Sequence, residues 1–261
     1  MDKIVLFALL ASMGTWFLTA LGASTVLLFK KCNKKKMNFM LGFASGVMIA
    51  ASFWSLLEPA ISGAEETLKT PSYIIVTLGF ITGAFFIWFC DKSISSMINK
   101  TSKSPKINRI FMLILSITIH NIPEGFAVGV AFGVLGADYS FNELISAVTV
   151  AIGIGLQNFP EGAAVAIPLR REGYSRAKSF LYGQASAIVE PIAAILGAVL
   201  VVAVKTLLPF ALSFAAGAMI LVAVHELIPE CQKCRENSPY HSTMGIIIGF
   251  AVMMLLDVML G

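Results

Sequence analysis

Charged residues are scarce in this sequence. Only 13% of its 261 residues are Asp, Glu, Lys or Arg, whereas 57% belong to the hydrophobic set AVILMFWYC. Soluble domains carry about 25% charged residues, so the shortage argues against a water-soluble globular protein. Because the long apolar runs take up most of the chain, no sizeable soluble domain fits beside them either.

Long hydrophobic runs are what the sequence has instead. Eight apolar stretches are bounded by charged or turn residues, and a helix needs about 20 such residues to cross a bilayer. The longest connection, Asp91–Arg109, is predicted to be a flexible loop because it contains Lys, Ser, Asn and Pro105. The sequence thus predicts one all-α transmembrane domain over residues 1–261, built from eight spans: Ile4–Phe29, Phe39–Ile61, Tyr73–Cys90, Ile110–Gly136, Leu144–Leu169, Ser179–Val204, Leu208–Ile228 and Thr243–Leu260.

Basic residues are divided unevenly between the two sides of this bundle. When loops are assigned to alternate sides, 16 of the 19 Lys and Arg fall on one side and 3 on the other. Since Lys and Arg next to spans stay in the cytoplasm, both termini are predicted to lie outside it, in a multi-pass protein of the cell (inner) membrane. The basic residues are then topological signals at the lipid bilayer, and nucleic acid is not an expected partner.

A few ionisable residues lie inside the spans, where each costs about 2.5–3.5 kcal/mol or more. Spans four to six contain no Lys or Arg that could neutralise their carboxylates. A bound cation would supply the missing charge. The residues concerned are His120, Glu124, Glu161 and Glu190 in spans four to six, with His225 and Glu226 in the cytoplasmic half of span seven.

Two of these spans repeat one motif. His120-Asn121-Ile122-Pro123-Glu124-Gly125 in span four and Gln157-Asn158-Phe159-Pro160-Glu161-Gly162 in span five share N-x-P-E-G. Antiparallel neighbouring spans can place the two motifs face to face about a pseudo-two-fold axis, as in inverted repeats. His120 and Glu124 share one helical face, as do Gln157 and Glu161, so four ligating groups converge. Asn121 and Asn158 point toward an adjacent position that the two glutamates could bridge.

Proline is part of the repeated motif. Pro123 cannot donate to the carbonyl of Ile119, and Pro160 cannot donate to that of Leu156, so each helix is loosened beside its ligands. A pair of ordinary proline kinks is the alternative interpretation. It leaves the paired carboxylates unexplained.

The donor set favours a transition metal. Imidazole, carboxylate and carboxamide suit Zn²⁺ and other first-row divalent ions such as Fe²⁺, Mn²⁺, Co²⁺ and Ni²⁺, and also Cd²⁺. Three carboxylates without a metal repel one another, so they are expected to take up protons when the metal leaves. Metal and protons should therefore compete for the site.

At these residues the sequence resembles the ZIP (Zrt/Irt-like protein) family of divalent metal transporters, and it does so over essentially the whole chain. Members typically carry H-N-x-P-E-G in span four and H-x-x-P-E-G in span five; here Gln157 replaces the second histidine, as in the GufA-like bacterial subfamily. The resemblance implies a ZIP-type bundle with a binuclear site. One ion would be held by His120, Glu124, Gln157 and Glu161, with Met48 as a further candidate, and the other by Asn121, Glu124, Asn158, Glu161 and Glu190.

Three assignments have a plain structural alternative. Met48 is a candidate ligand, although a methionine on a helix is commonly a packing residue. Ser55 is a candidate entrance residue, and the alternative is a serine that bonds its own backbone. His225 and Glu226 are a candidate exit site, and the alternative is a helix-end histidine beside solvated glutamates. A metalloprotease H-E-x-x-H motif is excluded because Pro229 occupies the second histidine position.

The resulting expectation is a transporter that carries Zn²⁺ or a related divalent ion into the cytoplasm by alternating access. The alternatives are a proton or cation exchanger without transition-metal specificity and a membrane-embedded metalloenzyme. An enzyme would need a free general base, whereas every candidate acid is already used as a ligand. The resemblance implies that spans one, four, five and six move against spans two, three, seven and eight, and it makes a homodimer a candidate assembly.

Overall fold

Helices make up nearly all of the structure, which is a computed structural model. It describes residues 2–28, 34–67, 71–101, 105–135, 139–203, 205–232 and 239–260. Some side chains inside these helices lie outside the described residues, among them that of His120 and most of those at positions 94–113. Seven stretches of this part of the chain are long and apolar enough to cross a membrane. The prediction of an all-α membrane protein is confirmed.

The α-helices are α1 (Asp2–Leu28), α2 (Lys34–Ala51), α3 (Glu58–Thr67), α4 (Ser72–Thr101), α5 (Pro105–Gly133), α6 (Phe141–Arg171), α7 (Arg176–Ala185), α8 (Val189–Ala203), α9 (Leu208–Val222), α10 (Ile228–Gln232) and α11 (Pro239–Leu260).

Each predicted span corresponds to one helix or to two consecutive helices. Spans one, three, four, five and eight are α1, α4, α5, α6 and α11, whereas spans two, six and seven are α2–α3, α7–α8 and α9–α10. Most helices extend beyond the apolar stretch that predicted them. At the start of α6, for example, Ser140 accepts from the Glu143 N–H at 3.2 Å and the Glu143 carboxylate accepts from the Ser140 N–H at 2.6 Å, a capping box that starts the helix.

The predicted flexible loop Asp91–Arg109 is wrong over most of its length. Helix α4 continues to Thr101 and α5 begins at Pro105. Lys, Ser and Asn end an apolar stretch without ending a helix, and proline is well accommodated at a first helical position. Hydropathy therefore marked where the chain becomes polar rather than where the helix ends.

Span six is not the continuous helix that its apolar composition predicted. Helix α7 ends at Ala185 and α8 begins at Val189, and the N–H of Glu190 donates to the carbonyl of Ala187 at 3.0 Å. Pro191 lies in the first turn of α8, where its missing N–H has no helical acceptor to serve. The break places Glu190 at the start of a half-helix, as in transporters whose ion sites use discontinuous helices.

Spans two and seven each contain a π-helical turn, at Ser52–Leu57 and Ala223–Leu227. Each turn is followed, two residues later, by a proline, Pro59 or Pro229. A proline ring clashes with the carbonyl four residues before it, and a wider turn relieves that clash. The bonds that define the turns run five residues back, from the Glu58 N–H to the Phe53 carbonyl and from the Ile228 N–H to the Ala223 carbonyl.

Four helix pairs pack most extensively: α1 with α6, α5 with α8, α2 with α11, and α4 with α9. In each pair a glycine lets the two backbones touch, since small residues permit close approach of helices in membranes. A Cβ added at any of these glycines would overlap backbone of the neighbouring helix: Gly22 at Phe159, Gly125 at Glu190, Gly46 at Ile246 and Gly83 at Phe214.

The glycine contacts predict which substitutions the bundle does not accept. Gly83→Ala should lower the free energy of unfolding by more than about 1 kcal/mol, because its methyl group would meet the Phe214 backbone. Gly14→Ala is the control, since a Cβ at Gly14 meets nothing within 4 Å. Thermal unfolding of the two variants in detergent distinguishes them. Equal midpoints would contradict this account of the packing.

Candidate metal site

The two N-x-P-E-G motifs meet where α5 and α6 pack together. The side-chain amide of Gln157 donates from Nε2 to Oε1 of Glu124 at 2.5 Å. Both side chains are completely buried. Gln157, the residue before N-x-P-E-G in α6, thus contacts the glutamate of the motif in α5.

A second contact brings α6 to the start of α8. Asn158 Nδ2 lies 2.9 Å from each carboxylate oxygen of Glu190. The hydroxyl of Thr15, in α1, donates to Glu190 Oε2 at 2.5 Å. Glu190 therefore connects three helices, and Thr15 is a residue that sequence reasoning missed.

Asn121 occupies the equivalent position in α5 but bonds differently. Its Nδ2 donates to the carbonyl of Ser186 at 2.9 Å, which lies in the break between α7 and α8. Asn121 is 1% exposed. The amide thus holds the broken segment of span six against α5, just before Glu190.

Glu161 is buried against the same cluster. It lies close enough to Glu124 and Glu190 for the three charges to act on one another. Neither of its carboxylate oxygens has a hydrogen-bond partner among the described residues. A buried carboxylate in that situation is strongly unfavourable unless a cation compensates it.

Unpartnered oxygens are concentrated at this cluster. Buried polar atoms are nearly always hydrogen-bonded, yet within the described part of the chain five buried oxygens here lack a donor. All five are acceptors, and carboxylate and carboxamide oxygens are ligands for divalent cations. They are Glu124 Oε2, Gln157 Oε1, Asn158 Oδ1 and both oxygens of Glu161.

His120 lies in α5 one turn before Glu124, but its side chain lies outside the described residues. Among the side chains that are described, no three His, Cys, Asp or Glu residues form a group that could hold a metal. The cluster alternates carboxylates with amides instead. A metal there would need the amide oxygens as well as the carboxylates.

Met48 is fully buried in α2 and belongs to the main apolar cluster of the bundle. That position is compatible with the packing alternative. Its role as a ligand stays a prediction.

Ser55 lies in the π-helical turn of span two, and its hydroxyl donates to Asp257 Oδ1 at 2.6 Å. The alternative in which Ser55 bonds its own backbone is therefore wrong. The other oxygen, Asp257 Oδ2, is buried and has no partner among the described residues. Sequence reasoning missed Asp257; the available signal was an acid inside the last turns of span eight.

The candidate exit residues lie in the π-helical turn of span seven, with His225 exposed and Glu226 half-buried. Asp91 of α4 is close enough for the charges of both residues to act on it. It is a second missed acid, because the sequence placed it at the start of a loop. The exit role of His225 and Glu226 stays a prediction.

Known proteins of similar sequence agree with the resemblance carried by the two motifs. A family model described as ZIP Zinc transporter matches residues 99–257. The chain is 38% identical to Zinc transporter ZIP11 of Xenopus tropicalis over 98% of both chains. It is 33% identical to Zinc transporter ZIPB of Bordetella bronchiseptica, over 98% of this chain and 82% of the relative, and 32% identical to Zinc transporter GufA of Myxococcus xanthus, over 97% and 98%. All three names describe transporters rather than enzymes.

The unpartnered oxygens predict that the site destabilises the metal-free protein. Glu161→Gln should raise the free energy of unfolding without metal by about 1 kcal/mol, because the buried carboxylate must either stay charged or take up a proton on folding, whereas the amide is neutral in both states. Glu65→Gln is the control, since Glu65 is exposed and, among the described residues, accepts one hydrogen bond, from Ser72 at 3.3 Å.

Adding Zn²⁺ should then stabilise the wild type and the Glu65 variant by mass action but should have little effect on Glu161→Gln. Thermal unfolding in detergent, with a chelator and with Zn²⁺, measures both effects. A lower midpoint for metal-free Glu161→Gln would contradict the assignment.

Proposed function

Because the chain belongs to the ZIP family of zinc transporters, we propose that it carries Zn²⁺ across the membrane into the cytoplasm through the buried site between α5, α6 and α8. The observation that carries this proposal is the group of five buried acceptor oxygens without donors. A divalent cation neutralises two carboxylates and also accepts amide oxygens as ligands.

The site holds two ions that share the two motif glutamates. The contacts support this division, since Gln157 bonds Glu124 whereas Asn158 bonds Glu190. In both amides the nitrogen is occupied and the carbonyl oxygen is left unpartnered. The proposed ligands are His120, Glu124, Gln157 and Glu161 for one ion, with Met48 as a candidate, and Asn121, Glu124, Asn158, Glu161 and Glu190 for the other.

Zinc is the proposed substrate because the relatives are named as zinc transporters. Gln157 gives this site less affinity for Zn²⁺ than a histidine would, so Cd²⁺, Fe²⁺, Mn²⁺, Co²⁺ and Ni²⁺ are further candidates. Metal binding requires deprotonated carboxylates and therefore releases protons. Protons and metal compete for the site on this account.

An inverted repeat relates span four to span five. It also relates spans one, two and three to spans six, seven and eight, respectively. Equivalent contacts support it: Asn121 bonds the Ser186 carbonyl, whereas Asn158 bonds the Thr15 carbonyl. The packing of α5 on α8 likewise corresponds to that of α6 on α1, and spans two and seven share the π-helical turn before a proline. The two ends of the pathway are then built alike.

Alternating access is the proposed mechanism, with α1 and α5–α8 moving against α2–α4 and α9–α11. Each of the four most extensive helix contacts lies within one of these groups, so sliding between the groups preserves them. Both termini lie outside the cytoplasm in this topology, which follows the distribution of Lys and Arg. A homodimer, implied by the family, is the candidate assembly.

Uptake by proteoliposomes tests the site and the substrate together. Glu124→Ala and Glu161→Ala should each lower zinc uptake at least about tenfold, because each removes a ligand shared by both ions. Glu65→Ala is the control. If neither site variant lowers uptake, the site assignment is wrong. Uptake without preference among divalent ions would favour the alternative of a cation exchanger. Single-channel currents would contradict alternating access.

Asp257 extends the candidate entrance that Ser55 marks at the outer end of span two. A free carboxylate oxygen beside Ser55 would attract a cation before it reaches the buried site. Asp257→Asn should therefore raise the apparent KM for zinc uptake several-fold and leave the maximal rate nearly unchanged. The control is Glu65→Gln, an acid on the same side of the membrane in this topology. An unchanged KM for Asp257→Asn would remove Asp257 from the pathway.

A further inference from the structure

Thr15 makes a contact that sets it apart from other threonines in the bundle. Within the described part of the chain, the hydroxyls of several other threonines bond only carbonyls three or four residues back in their own helix, among them Thr19, Thr82, Thr118 and Thr149. Thr15 Oγ1 also lies 2.9 Å from the Ser12 carbonyl, but its shorter contact, 2.5 Å, is to Glu190 Oε2. A hydroxyl has one proton, and a carboxylate is the stronger acceptor.

The backbone of the same residue holds a second side chain of the cluster. Asn158 Nδ2 donates to the Thr15 carbonyl at 3.3 Å as well as to Glu190. These acceptors require the nitrogen of the amide at this position. The other end of the amide, Oδ1, is the atom left without a partner among the described residues.

The loss of either contact would be costly, because all three residues are buried. Thr15 is 2% exposed, Asn158 1% and Glu190 0%, so water does not replace a lost hydrogen bond there. Without the Thr15 hydroxyl, Glu190 Oε2 would keep only its bond to Asn158. Among the described side chains, Asn158 alone would then hold the carboxylate, and Glu190 would be less firmly oriented toward the cluster.

We propose that Thr15 is a positioning residue of the ion subsite that contains Asn158 and Glu190. Its hydroxyl orients Glu190, and its carbonyl orients Asn158. The inference rests on the proposed transport function and adds span one to the elements that build the metal site. Hydrogen bonds to the far side of metal ligands fix ligand orientation and raise metal affinity. Thr15 touches the ligands and not the ion.

Zinc titration of the purified full-length protein tests this role with Thr15→Val and Thr15→Ser. Valine keeps the shape and removes the hydroxyl, so we expect about a 10- to 100-fold weaker affinity for the ion that depends on Glu190. Serine keeps the hydroxyl and should retain near wild-type affinity. Thr149→Val is the matched control and should bind zinc normally, because it is the same change at a buried threonine whose one hydrogen bond among the described residues is to the Ile145 carbonyl, at 3.0 Å.

A double variant separates positioning from packing. In a Glu190→Gln background, Thr15→Val should cause little further loss of zinc affinity, because the effects of substitutions at two contacting residues do not add.

Three results would each overturn the proposal: fully additive losses of affinity in the double variant, equal losses for Thr15→Val and Thr15→Ser, or an unchanged affinity of Thr15→Val. If Thr15→Val does not fold, Thr15→Ala replaces it with the same criteria. Normal binding by Thr15 variants beside defective Glu124→Ala would refute the role of Thr15 alone and leave the proposed function standing.

Discussion

Uncompensated negative charge in the interior of the bundle is the constraint on which the rest of the structure depends. Glu124, Glu161 and Glu190 are all buried, and the stretches that carry Glu161 and Glu190 are long and apolar enough to cross a membrane. Spans four to six contain no Lys or Arg. Carboxylates in that setting need hydrogen-bond donors and a cation. Amides of Gln157 and Asn158 and the hydroxyl of Thr15 supply donors, and the remaining oxygens stay available. Neutral groups thus orient the carboxylates of the proposed site and leave their charge available for a metal.

Backbone irregularities bring these groups together. The break in span six starts α8 at the turn that carries Glu190, and Gly125 lets α5 approach that turn at backbone distance. On the other side Gly162 packs against the Thr19 backbone of α1, which brings α6 and Asn158 close to Thr15. The P-E-G ending of each motif therefore combines a proposed ligand with the glycine that lets its helix pack closely on the neighbouring helix. A larger residue at either glycine would separate the ligands as well as the helices.

Sequence alone predicted the helical class, the family and the residues of the two motifs. The length of the apolar stretches and the repeated N-x-P-E-G motif can both be read from residues that are neighbours in the sequence. Contacts between distant residues were not predictable: Thr15 reaches Glu190 across 175 positions and Ser55 reaches Asp257 across 202. Hydropathy also could not locate the break in span six, since apolar residues continue through it, or the helical extension of α4 to Thr101. The termini, the repeat symmetry and the metal ligands remain predictions that rest on charge distribution and geometry.

Anomalous diffraction from crystals of the zinc-bound protein tests the central claim most directly, because it locates the ion relative to its ligands. The account predicts zinc peaks between α5, α6 and α8, at about 2.0–2.2 Å from carboxylate oxygens of Glu124 and Glu161. Zinc bound only elsewhere in the protein, with no peak within bonding distance of either glutamate, would contradict it.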